Sequence, residues 1–211
     1  MGEPVKRCVV IGAAPASEHT DWPAIRQDDY IICADGGLRA ARQAGLRVDY
    51  LIGDFDSLAG PVPEGEYGVE RLPVEKDETD TFAACRHGLA LGCRDFLLLG
   101  GLGGRFDHTM ANLSTLLYLQ TQDASGVLAD GNHEIRVLAQ GKAYFPHCEG
   151  LGFGVFPFGT PFCVVSGGGL QYPLNRLKLT AEYPMGVSNT ICGADAWVEV
   201  LKGPALLVLE K

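Results

Sequence analysis

Basic side chains are scarce in this sequence. Its 17 Lys and Arg stand against 26 Asp and Glu, a net charge of −9. Phosphate surfaces are gripped by Lys and Arg, so the balance speaks against a general nucleic-acid or anionic-membrane binder. No C-x-x-C pair occurs, and the seven cysteines are an odd number, so neither a disulfide framework nor a zinc ribbon is supported. Free, mostly buried thiols in a reducing cytoplasm are expected instead. Long apolar runs are missing too. The longest charge-free stretch, Gly150–Asn175, contains Pro157, Pro161, Pro173 and seven glycines, which would break a spanning helix. The apolar core near the N-terminus, Val9–Ile11, is too short for a secretory signal. What is plentiful is apolar surface, 46% of residues, and glycine, 28 of 211. A packed core is expected, with many tight turns.

Two patterns follow one another along the chain. The first alternates short apolar runs with helical spacing. Val9–Ile11, Tyr30–Cys33, Asp49–Ile52 and Phe96–Leu99 read as strands, and Leu38–Ala44, Thr79–Leu91 and about Asp107–Gln120 as helices. Such alternation predicts a largely parallel sheet with helices on both faces. From Val127 onward the pieces are short, β-rich and separated by Gly, Pro and Asn, which predicts a sandwich or barrel. The expected division is an α/β domain over 1–124 and an all-β sandwich over 125–211.

Three segments could carry chemistry. Asp54 and Asp56 follow the Asp49–Ile52 strand. In an extended piece residues two apart point the same way, so the two carboxylates could converge on a hard cation such as Mg²⁺. An Asp-rich turn with Asp capping a helix accounts for them more simply, a bare D-x-D being weak evidence of a metal site. In Glu75–Asp80, Thr79 or Asp77 would cap the next helix, but a cap does not require Asp80 in its first turn beside Lys76. A third carboxylate there could complete a metal shell, and Lys76 could neutralise a phosphate. Gly100–His108 lies between an apolar strand and a helix. Gly100, Gly101, Gly103 and Gly104 allow close backbone approach to an anion, and Arg105 adds a forked donor. Asp107 sits where an N-cap would. The segment is neither a P-loop nor a dinucleotide fingerprint. Asp35, Gly36 and Gly37 follow another strand and could face the same sheet edge or cap a helix. His87 reads as structural, His133 and His147 lack a ligand-spaced partner, and His19 says little. Carboxylates and cations around a glycine-rich cradle are the parts of metal-assisted phosphoryl transfer. The acceptor is left unnamed.

The ordered set ADGG (34–37), GDFDS (53–57), KDETD (76–80) and GGLGGRFDH (100–108), with GVSNT (186–190) near the end, resembles the thiamine pyrophosphokinases. The resemblance implies an α/β domain followed by a β-sandwich, a cytoplasmic homodimer, and diphosphate transfer from ATP to the hydroxyl of thiamine with release of AMP. It implies Mg²⁺ held by Asp54, Asp56 and Asp80. ATP would lie against Asp35, Gly36, Lys76, Gly103, Gly104 and Arg105. Thiamine would lie near Asp107, Ser188 and Asn189. Neither nucleic acid nor membrane is expected as a partner. A pterin-alcohol diphosphokinase and a non-catalytic nucleotide–metal binder are the alternatives.

Overall fold

The computed structural model describes residues 7–14, 22–56, 65 and 67–211; His19 and Ser57 lie outside them. The described chain divides into two compact units, Met1–Thr115 with Gln122–Gly131, and Leu116–Thr121 with Asn132–Lys211.

Among the described residues the first unit is built on six strands, all parallel where they pair. They are β1 (Cys8–Ile11), β2 (Tyr30–Ala34), β3 (Tyr50–Gly53), β4 (Gly68–Arg71), β5 (Asp95–Leu99) and β6 (Ser125–Ala129), in the order β6-β5-β1-β2-β3-β4. All four residues of β1 are buried, and so are Phe96–Leu99 of β5. A strand buried on both sides needs cover on both faces. Helix α1 (Gly37–Gln43) covers one, packing Leu38 and Ala41 with Val9, Ile11, Ile31 and Cys33. Helix α2 (Asp80–Ala90) covers the other. Its Gly88 comes so close that a Cβ there would stand 2.8 Å from both Cys8 Sγ and Phe96 Cε1. Thr79 caps α2, accepting the Phe82 N–H at 3.2 Å. Helix α3 (Phe106–Thr121) starts one residue earlier than its apolar stripe suggests. The carbonyl of Arg105 accepts its first turn's bond from Thr109, so Asp107 lies inside the first turn and is not the cap.

The second unit is antiparallel. Strands β7 (His133–Leu138), β9 (Gly152–Pro157), β12 (Asn189–Thr190) and β14 (Ala205–Glu210) pair in the order β12-β9-β14-β7. Strands β8 (Gly141–Pro146), β10 (Phe162–Gly168), β11 (Leu174–Thr180) and β13 (Asp195–Lys202) pair in the order β11-β10-β13-β8. Burial alternates residue by residue along β10, β13 and β14, as it must when one face is wet. Phe153, Val155, Leu207 and Leu209 from the first sheet meet Phe145, Cys163, Val165, Val198 and Val200 from the second in one core. This is the expected sandwich. All seven cysteines are free, five of them buried, and burial pushes the Cys33 thiol up to about 12. Among the described residues no helix is long and apolar enough to cross a membrane.

Candidate active site

Parallel strands deliver their following loops to one edge of the sheet. Ile11, Cys33 and Leu99 stand level across β2-β1-β5, and Ala34 stands level with Ile52. Gly12, Asp35, Asp54 and the Gly100–Arg105 loop therefore emerge side by side. Gly12 and Gly100 make this crossing possible. A Cβ on Gly12 would stand 2.7 Å from the Gly100 carbonyl oxygen, and one on Gly100 would stand 2.5 Å from that of Gly12. Farther along the loop, Gly103 (φ 79°) and Gly104 (φ 68°) take left-handed backbone in succession.

Asp54 and Asp56 are brought together by a turn rather than by an extended strand. Phe55 adopts φ 63°, sinks into the core, and stacks under Arg71 at 5.0 Å. Burying that ring turns both neighbouring carboxylates outward. The Asp56 N–H donates to Asp54 Oδ1 at 3.2 Å. Asp35, Asp54, Asp56, Lys76, Asp80 and Arg105 all line one cleft of about 480 Å³. Gly103 and Gly104 line an adjoining hollow of about 350 Å³ with Arg105, and Gly36 lines a smaller one beside Gly12 and Arg39.

The electrostatics follow from who faces whom. Lys76 Nζ donates to Asp54 Oδ2 at 2.7 Å and lies 3.0 Å from Asp80 Oδ1. The hydrogen bond from Lys76 pulls the Asp54 carboxyl below the usual carboxylate range. The negative charge of Asp54 pushes Asp56 up, and burial pushes Asp80 up against the pull of Lys76. Burial works to lower the Lys76 pKa, but its bonds to Asp54 and Asp80 together outweigh it and the net shift is upward. Asp56 and Asp80 thus carry negative charge that a hard, oxygen-seeking dication would compensate. The donor set fits Mg²⁺ in kind. Among the described residues no three His, Cys, Asp or Glu side chains already form a metal cage, and an ammonium stands between two of the acids.

Asp107 stands apart from that cleft. Arg105 grips it in a two-pronged pair, Nε to Oδ1 at 3.1 Å and Nη2 to Oδ2 at 2.6 Å, with both side chains mostly exposed. The pair holds the Asp107 carboxyl below its usual range. Two residues of α3 that the sequence reading passed over line both main hollows, His108 and Asn112. Their spacing of four after a glycine-rich loop was the available signal, since it puts both on one helix face. Asn112 is buried and donates to the Gly101 carbonyl at 2.8 Å, pinning the loop.

In the second unit Ser188 and Asn189 line a separate pocket of about 270 Å³ with Phe153, Phe156, Val187 and Glu210. Ser188 is left-handed, with φ 58°. The Asn189 amide is engaged with backbone: Nδ2 donates to the Tyr172 carbonyl at 2.8 Å, and Oδ1 accepts the Tyr172 N–H at 3.0 Å.

A parallel sheet with acids, cations and a glycine loop at its carboxyl edge, followed by a β-sandwich, defines a phosphate-handling transferase. Residues 23–128 match the family described as thiamin pyrophosphokinase, catalytic domain. The chain belongs to the thiamin pyrophosphokinase family, and is accordingly an enzyme, a thiamine diphosphokinase. Thiamin pyrophosphokinase 1 of Caenorhabditis elegans is 25% identical over 182 residues, 81% of this chain and 74% of that one. Thiamine pyrophosphokinase of Bacillus subtilis is 24% identical over 196 residues, 90% and 87% of the two chains. The crystal structure of the Bacillus subtilis enzyme superposes with a TM-score of 0.84 at 21% identity, covering 98% of this chain and 99% of that one. The reading as a non-catalytic binder is thereby set aside.

Proposed function

We propose that the enzyme transfers a diphosphate group from ATP to the hydroxyl of thiamine, giving thiamine diphosphate and AMP. The observation that carries this reading is the single cleft lined by four Asp, a Lys and an Arg at the sheet's carboxyl edge. Asp54, Asp56 and Asp80 would hold Mg²⁺. When bound, that ion supplies charge neutralisation to the phosphates and polarises the β-phosphoryl group toward in-line attack. Lys76 and Arg105 donate to phosphate oxygens, and Arg105 can do so with the N–H groups that Asp107 leaves open. The left-handed Gly103–Gly104 stretch lets backbone N–H groups approach the triphosphate, and Asp35 and Gly36 border its far side. Asp107, kept ionised by Arg105, is the carboxylate offered to the thiamine hydroxyl.

Thiamine's ring system would take the pocket of the second unit, between Phe153, Phe156 and Ser188. A mostly apolar wall with a few polar groups suits a flat heterocycle. Tyr183, Met185 and Val187 are exposed, with Val187 in the pocket wall, and exposed apolar side chains there support a homodimer. Seven free thiols fit a reducing compartment, the cytoplasm. The test is metal removal. Chelator should abolish turnover and Mg²⁺ restore it, and full activity in chelator would refute the metal role.

A further inference from the structure

Lys76 is ion-paired with two carboxylates at once in this structure. An ammonium carries three N–H groups. Two of them donate, to Asp54 Oδ2 at 2.7 Å and to the Pro73 carbonyl at 3.3 Å, and Asp80 Oδ1 lies 3.0 Å away as an ion-pair partner. The seat is sheltered, with the Lys76 side chain 14% exposed, Asp54 13% and Asp80 22%. Asp54 and Asp80 are two of the three carboxylates assigned to Mg²⁺, and the same ammonium is the one assigned to a phosphate. Both assignments call on groups that the triad already engages.

We propose that Lys76 is the resident counter-ion of Asp54 and Asp80 in the nucleotide-free enzyme, and that metal and nucleotide are taken up as an exchange. Lys76 gives up Asp54 and Asp80 as a divalent cation is bound, and turns to a nucleotide phosphate oxygen. The inference rests on the reading of this cleft as the metal–nucleotide site and goes beyond it. It makes Lys76 a competitor of the metal in the free enzyme and a partner of the phosphate in the loaded one. Two consequences follow. The metal binds the nucleotide-free enzyme weakly, because the ammonium must first be displaced. Nucleotide strengthens metal binding, because it offers Lys76 another anion, and by linkage metal strengthens nucleotide binding equally. The arrangement also spares the free enzyme the repulsion of two sheltered carboxylates.

The test measures Mn²⁺ binding to nucleotide-free enzyme, by the paramagnetic resonance of free Mn²⁺, in the native protein and in Lys76→Met and Lys76→Gln. If the ammonium is seated in about nine molecules of ten, removing it tightens the apparent Kd about tenfold. Equal or weaker Mn²⁺ binding in both variants overturns the proposal. Should both variants fail to fold, the native protein carries the test. The side-chain NMR resonance of Lys76 must move when Mg²⁺ is added without nucleotide, and an unmoved resonance at saturating Mg²⁺ overturns the exchange. Failure of the exchange alone leaves chelator-sensitive turnover intact. Turnover that persists in chelator removes the metal reading itself.

Discussion

Lys76 Nζ and Asp54 Oδ2 meet at 2.7 Å across 22 residues of chain. The contact joins the loop after β3 to the approach to α2, and Asp80, four residues beyond Lys76, completes it from the helix's first turn. On the exchange proposed above, Asp54 answers to two cations in turn, an ammonium in the free enzyme and a metal in the loaded one.

Asp54→Asn keeps the side chain's shape and removes its charge. Turnover should fall at least about a hundredfold, since a metal ligand contributes several kcal/mol to the barrier. The circular dichroism spectrum should be unchanged. Near-normal turnover at ordinary Mg²⁺ would take Asp54 out of the metal site.

Asn112 acts on the glycine loop through a single buried bond to the Gly101 carbonyl. Asn112→Ala leaves that carbonyl without its partner, at a cost of about 1–3 kcal/mol. The loop borders the nucleotide side of the cleft, so KM for ATP should rise roughly tenfold or more while KM for thiamine changes little. Steady-state kinetics with each substrate varied decides it. Equal changes in both constants would mean a general loss of order.

Much of this was legible because burial leaves marks in sequence. Val9–Ile11 and Phe96–Leu99 are unbroken apolar runs, the mark of a strand covered on both faces, and Phe162–Ser166 reads as a strand by its composition, though only its burial, and not its sequence, alternates. β4 left no mark. All four residues of Gly68–Arg71 are exposed at the sheet edge, so backbone pairing with β3 alone makes it a strand. Ser125–Ala129 shows by composition that it is a strand, but not that it pairs in parallel with β5. In the site, residue types and order were visible and geometry was not. Nothing in GDFDS announces that Phe55 takes a positive φ and that a turn, not a strand, gathers its two acids. Nothing in GGRFDH announces that Arg105 reaches forward onto Asp107. Both are outcomes of tertiary packing and charge, which a local pattern does not encode.

Away from the cleft, Arg7 and Asp29 form a sheltered pair, Nε to Oδ1 at 2.9 Å and Nη2 to Oδ2 at 2.6 Å, and Asp29 is 2% exposed. Removing one partner strands the other's charge. Asp29→Ala should lower the unfolding free energy by about 3–5 kcal/mol, measured by urea titration. A change below about 1 kcal/mol would show that the pair contributes little beyond its desolvation cost.

His87 stacks on Tyr50 at 3.9 Å, and burial lowers its pKa from 6.5 despite Glu70 Oε2 at 3.7 Å. A depressed folded-state pKa means the unfolded chain binds the proton more readily. The contribution of His87 to stability is therefore fully present above about 6.5 and is lost as pH falls through the folded value. His87→Gln should flatten the acid side of the stability profile in that window. An NMR titration placing the His87 pKa above 6.5 would reverse the sign and contradict the packing argument.

The products of one incubation test the central claim most directly. Enzyme, MgATP and thiamine are combined, and the spent nucleotide and the thiamine esters are separated by chromatography. Attack at the β-phosphorus predicts AMP and thiamine diphosphate in equal amounts. ADP with thiamine monophosphate would place the attack at the γ-phosphorus and contradict the account.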